Sequence, residues 1–322
     1  MLRLRSIAEF PFVSFEPESS SVSDTNPSGE INSVEYPSNE FNSSSQNGDD
    51  NGLSRLAISQ IYSHRCSLET ELQALKQSNI SAIGLYRPRF AEWSDQQDIE
   101  LLQQHRVQVS SVSWAGGFTG SHGYSHDEAV ADSFAAIELA EKVGAGCVMI
   151  ATGARHGHTR NHTTRLICDG LKEVSDFAGE RKIDLAVVPM RSDDCSRWTC
   201  LNTIDEAMQV ILKCNRPNVG LGIDVRRLSE ACQLAVYAES IAPHTKMMRL
   251  AVECAEVTSE LIPTCSYEEE TFSLEETLTL FSREGYEGYF EFELCFQGGW
   301  SAKRYREMVP GCRELFVQSV LI

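Results

Sequence analysis

Residues 146–190 read GCVMIATGARHGHTRNHTTRLICDGLKEVSDFAGERKIDLAVVPM, and the fold is decided by how this stretch alternates. Two short apolar runs, GCVMIAT (146–152) and DLAVVPM (184–190), flank a longer amphipathic segment, TRLICDGLKEVSDFAGERK (164–182). A continuous apolar run bounded by polar turns suits a strand covered on both faces, and the segment between has helical length and spacing. Strand, helix and strand in that order form a parallel unit, because a parallel pair needs a long crossover.

The same alternation extends in both directions. LAISQIY (56–62), AIGLY (82–86) and VQVSSVSW (107–114) precede it, and VGLGIDV (219–225), KMMRLAV (246–252) and YFEFELC (289–295) follow. Helical patterns separate them, among them SLETELQALKQSN, HDEAVADSFAAIELAEKVG, TIDEAMQVILKC and SLEETLTLFSREG. Ser67 and Ser273 stand where N-caps belong, and Gly144 and Gly285 where a left-handed C-cap ends a helix. Eight units in about 270 residues predict an α/β fold of the (β/α)₈ barrel type. An open doubly wound sheet is disfavoured, since no GxGxxG or GxxxxGK[ST] run is present.

Residues 1–52 do not share this pattern. They are rich in Ser, Asn, Pro and acids, without a period of 2 or 3.6, and cannot bury enough apolar surface to offset chain entropy. The reading is a disordered acidic tail over residues 1–52 and one barrel domain over 53–322. The tail carries a net −7 of the chain's formal −18, which leaves −11 for the barrel. So acidic a chain lacks the basic surface that nucleic acid or an anionic membrane requires, and a small molecule is the expected partner. A homo-oligomer is compatible with the sequence, which does not choose an assembly. No apolar run approaches the roughly 18–20 residues of a membrane span, and MLRLRSIAEFPFVSF has no apolar core of a secretory leader. Eleven cysteines, dispersed singly and without a CxxC pair, fit reduced thiols and a cytoplasmic location.

In such a barrel, chemistry belongs at the C-terminal strand ends and the loops after them. That rim collects Tyr62, His64, Tyr86, Arg87, Arg89, Trp114, the loop RHGHTRNH (155–162), residues 190–194, Asp224, Arg226, Arg227, Arg249, Glu291 and Glu293, with His122 after the third strand.

Taken in order, ISQIYSHR, GLYRPRFAEW, SVSWAGGFTGS, HDEAVADSF, GHTRNH, GLGIDV, IAPHT and YEGYFEFEL resemble the sugar phosphate isomerase/epimerase superfamily, built on a xylose isomerase-like barrel. The likeness runs from about residue 56 to about residue 313. It implies one divalent metal, Mn²⁺, Mg²⁺ or Co²⁺, held by carboxylates on strands five, six and eight and a His or Gln on strand seven. It also implies proton transfer between adjacent sugar carbons, with the metal polarising the carbonyl.

Carried over residue by residue, Asp224 and Glu293 fall at metal-ligand positions, whereas Val188 replaces the strand-five carboxylate and Arg249 the strand-seven ligand. A valine cannot ligate and a guanidinium repels a divalent ion, so no tightly bound cofactor is expected. Arg249 is instead read as the substitute cation, paired with Asp224 and Glu293. The expected activity is a sugar or polyol isomerase or epimerase with Glu293, Asp224 and His158 as catalytic groups, Asp193 and Asp194 being further acid–base candidates. Trp114 would offer an apolar face, with Arg155, Asn161, His162, Arg87, Arg227 and Arg249 binding substrate. The alternative is a ligand-binding relative that has lost catalysis.

Overall fold

The computed structural model describes residues 52–61, 63, 66–90, 95–120, 123–192, 197–254, 261–264, 272–296 and 300–320. Residues 1–51 of the expected tail, Tyr62, His64, His122, Asp193 and Asp194 lie outside the described residues. Nine strands form one sheet: β1 (Leu56–Ser59), β2 (Ala82–Tyr86), β3 (Gln108–Gly116), β4 (Cys147–Ala151), β5 (Asp184–Val187), β6 (Val219–Asp224), β7 (Thr245–Cys254), β8 (Leu261–Thr264) and β9 (Phe290–Phe296). Pairing runs β6-β5-β4-β3-β2-β1-β9-β7, and an additional β6–β7 pairing closes the ring. The eight ring strands are parallel. The predicted (β/α)₈ barrel is therefore the observed fold.

Strand β8 has no counterpart in the eight expected units. It pairs antiparallel with the end of β7, from Ala251↔Thr264 to Cys254↔Leu261, as a short flap outside the ring. β7 is ten residues long, which leaves it enough free edge to take both partners.

The helices are α1 (Leu68–Gln77), α2 (Asp95–His105), α3 (His126–Val143), α4 (Arg160–Glu180), α5 (Ile204–Cys214), α6 (Leu234–Ile241), α7 (Leu274–Arg283) and α8 (Ala302–Val320). The expected caps are in place: Ser67 and Ser273 accept from Thr70 N and Glu276 N, and Gly144 ends α3 at φ 71°. Helix α4 begins earlier than its apolar pattern suggests. Thr159 caps it, so Asn161 and His162 belong to its first turn and not to the loop before it.

Strand periodicity divides the core into two layers. Outward residues such as Leu56, Ile58, Leu221, Ile223, Phe290 and Phe292 pack against the helices, each worth roughly 1.5–3 kcal/mol when fully buried. Inward residues including Trp114, Met149, Ala186, Val188 and Met247 fill the barrel. Arg55 ties the first strand to the last: it donates to Tyr286 O at 2.6 Å and Gly288 O at 3.0 Å and lies 4.7 Å from the Phe290 ring centre.

Candidate functional site

Alternation in FEFEL points Phe290, Phe292 and Leu294 at the helices and turns Glu291 and Glu293 inward. Two strands along, beyond β7, β6 ends at Asp224, and the backbone turns at once: Arg227 N and Leu228 N both donate to Asp224 O at 2.9 Å. That turn folds Arg227 back over the carboxylate it follows. Its Nη1 donates to Asp224 Oδ2 at 2.6 Å and to Glu293 Oε2 at 3.0 Å.

One layer deeper, Arg249 and Glu291 are register partners on β7 and β9. Arg249 donates to Glu291 Oε1 through Nε at 2.8 Å, with Nη2 at 2.6 Å from the same oxygen, and through Nη2 to Ser113 Oγ at 2.8 Å. Ser110 and Ser111 donate to the other Glu291 oxygen at 2.9 and 2.7 Å. The Trp114 ring lies 5.3 Å from the Arg249 guanidinium carbon, a cation–π distance. The close approach depends on Gly84, because a Cβ there would stand 2.2 Å from the Glu291 carboxyl.

Three carboxylates and two guanidinia thus share the top of the barrel, with side chains between 0% and 4% exposed. Arg249 is the pivot between the layers, 3.6 Å from Asp224 and 4.0 Å from Glu293. The expected ion pairing of Arg249 with Asp224 and Glu293 is present, but its hydrogen bonds go to Glu291 and Ser113, partners that the sequence reading did not give it. Arg227 is the cation that joins Asp224 to Glu293. Register explains the difference, since Glu291 is opposite Arg249 while Glu293 is opposite Ala251. Glu291 was legible as a rim residue, and its shared parity with Glu293 is the signal that both point inward.

Burial also shapes the neighbouring thiols. Cys147 is driven upward chiefly by burial, then by Asp184 and Glu291, and Cys295 by burial, then by Glu293. Both stay protonated at neutral pH and offer no thiolate.

Trp114 meets this cluster at Arg249, and the remaining candidates take other partners. Arg87 is clamped by Asp132 of α3 through two hydrogen bonds of 2.7 and 2.6 Å and also donates to Trp114 O at 3.2 Å. Trp114 is buried within the barrel, its ring against Arg249. Along the loop after β4, exposed Arg155 donates to His158 O at 3.0 Å. The His158 ring nitrogen is 3.2 Å from Thr119 O, and its ring meets His162 edge-on at 4.8 Å. His162 lies 3.0 Å from Arg165, and Asn161 is exposed on the first turn of α4.

A family model described as a xylose isomerase-like TIM barrel matches residues 72–309. The chain belongs to this family. Comparison with curated proteins gives no match. Among solved structures, a protein from Sinorhizobium meliloti 1021 is similar at 17% identity and TM-score 0.69, over 83% of this chain and 99% of that one. The IOLI protein, with a zinc atom bound, is similar at 16% identity and TM-score 0.64, over 83% and 98%. The 3-keto-D-glucoside 4-epimerase of E. coli is similar at 11% identity and TM-score 0.64, over 81% and 99%. At these identities the likeness is one of fold.

The residues of this xylose isomerase-like barrel do not fit a divalent metal held from the ends of β5, β6, β7 and β9. Val188 is fully buried in the apolar barrel filling, and Arg249 and Arg227 bring two fixed positive charges to the remaining carboxylates. No group of three or more His, Cys, Asp or Glu suited to a metal occurs among the described residues. Asp224 Oδ1 and Arg249 Nη1 have no hydrogen-bond partner among the described residues. No helix among the described residues is long and apolar enough to cross a membrane.

Proposed function

We propose that this barrel is a non-catalytic, ligand-binding relative of the sugar isomerases and epimerases, acting on a sugar or sugar-derived small molecule by binding it. One observation carries the reading: a single Arg227 nitrogen donates to both Asp224 and Glu293, at 2.6 and 3.0 Å, in a buried setting. Proton transfer between adjacent carbons needs a group free to take a proton and return it within hydrogen-bond reach of the substrate. Here both carboxylates are engaged by arginine and shielded from solvent. A metal would supply Lewis-acid polarisation, and the ligand set for it is half absent. The dispersed single cysteines support a cytoplasmic setting.

The second reading is an isomerase or epimerase in which Glu293 and His158 move the proton, favoured by the presence of both Asp224 and Glu293 at the barrel mouth. Elemental analysis of protein purified without chelators, with turnover assays on ketoses and inosose-like polyols, separates the two. The binding reading expects metal well below one equivalent and no turnover. Stoichiometric metal retained through dialysis, or turnover abolished by Glu293→Gln, would overturn it.

A further inference from the structure

The first turns of α4, residues 199–202 and one face of α5 as far as Lys213 line a cleft of about 420 Å³. Its volume lies within the roughly 300–1,000 Å³ of small-molecule sites. Its walls differ from the buried network at the mouth. Arg155, Arg160 and Lys213 line it with one carboxylate, Glu206, and with the amides of Asn161 and Gln209. Glu206 is already engaged on both oxygens, accepting from Arg160 at 3.1 Å and from Asn202 N at 2.8 Å. Arg155 and Lys213 have no carboxylate partner among the described residues. In a chain of net charge −18, the cleft thus keeps two cations in excess.

The local backbone reinforces that sign. Helix α4 opens into the cleft with Arg160 and has no acid in its first turn, so its positive end is not offset from within the helix. Amides beside the cations can donate to and accept from hydroxyl groups, and the Thr163 and Thr164 hydroxyls, which donate to Thr159 O and Arg160 O, can accept. Fixed positive charge next to uncharged polar donors and acceptors matches a ligand with an anionic end and a hydroxylated body.

We propose that the α4–α5 cleft binds an anionic sugar derivative, a sugar phosphate or sugar acid, through Arg155 and Lys213. This deepens the binding reading above and rests on it, moving the ligand from the mouth to the outer rim. The test is calorimetric titration of the full chain at low salt with glucose 6-phosphate, gluconate, glucose and inorganic phosphate. Glucose 6-phosphate or gluconate should bind at least tenfold more tightly than glucose, the stronger of the two identifying the anion. Arg155→Ala and Lys213→Glu change exposed side chains, so their thermal midpoints should stay within a few degrees of the parent while affinity falls at least tenfold. Lys303→Ala, which removes an exposed cation on α8 outside the cleft, should leave affinity unchanged. No binding by any probe, affinity unaltered in both cleft variants, or affinity lost in Lys303→Ala would each overturn the proposal. Metal content and turnover on the same preparation report on the non-catalytic reading separately.

Discussion

Replacing Arg227 with methionine tests whether a guanidinium holds the barrel mouth together. The substitution keeps an unbranched apolar stem and removes the one group bonded to both Asp224 Oδ2 and Glu293 Oε2, at 2.6 and 3.0 Å. Breaking a buried pair by deleting one partner costs about 3–5 kcal/mol, because the remaining charge stays desolvated. Arg249, 3.6 and 4.0 Å away, still offsets part of that charge, which places the expected loss near the lower end, about 3 kcal/mol. For a domain of this size, that corresponds to a fall in melting temperature of about 6–12 °C. Urea denaturation followed by circular dichroism measures it, together with Glu293→Gln and the double variant. If the attraction is real, Arg227→Met costs less once Glu293 is neutral, and the cycle shows a coupling of about 0.5–3 kcal/mol. A loss below about 1 kcal/mol, or the same loss in both backgrounds, would refute the reasoning and reduce Arg227 to a packing residue.

Gly84→Ala should destabilise by about 1–3 kcal/mol in the same assay, since the new methyl stands 2.2 Å from a Glu291 carboxyl pinned by Arg249 and two serines; an unchanged midpoint would contradict this packing. Arg55→Ala should cost about 1–3 kcal/mol by removing the charged donor to Tyr286 O and Gly288 O, and an unaltered unfolding curve would show that barrel closure does not use it. Burial raises the Cys214 thiol to about 11 and the Cys254 thiol to about 12. Because the folded-state values lie above those of the unfolded chain, this stabilisation is intact below about pH 9 and declines as pH rises through 11 and 12. Urea unfolding at stepped pH should therefore show stability falling above about pH 9, and a constant midpoint to pH 11 would rule it out. In the native state at pH 8, thiol reagents should leave both cysteines unmodified, as judged by mass spectrometry.

The sequence by itself determined the architecture, because strand and helix periods are local properties. Runs such as DLAVVPM and VGLGIDV with amphipathic segments between them announce a parallel barrel, and Ser67, Ser273 and Gly144 mark helix ends through interactions within one turn. It also placed Asp224 at the end of its strand, whereas Glu293, expected at a strand end, lies in the middle of β9. Only the tertiary structure decided which charges meet. Arg227 and Glu293 are 66 residues apart, Arg87 and Asp132 are 45 apart, and Arg249 reaches Glu291 across a strand pair. Alternation fixes the face on which a side chain lies, while its partner depends on inter-strand register and on the turn after Asp224, and neither follows from local periodicity. The early start of α4 and the added strand β8 have the same origin, a cap and an edge pairing that override the hydrophobic pattern. The α4–α5 cleft likewise exists only in three dimensions, since two helices more than twenty residues apart in sequence line it and the gap between them is set by how each packs on the barrel.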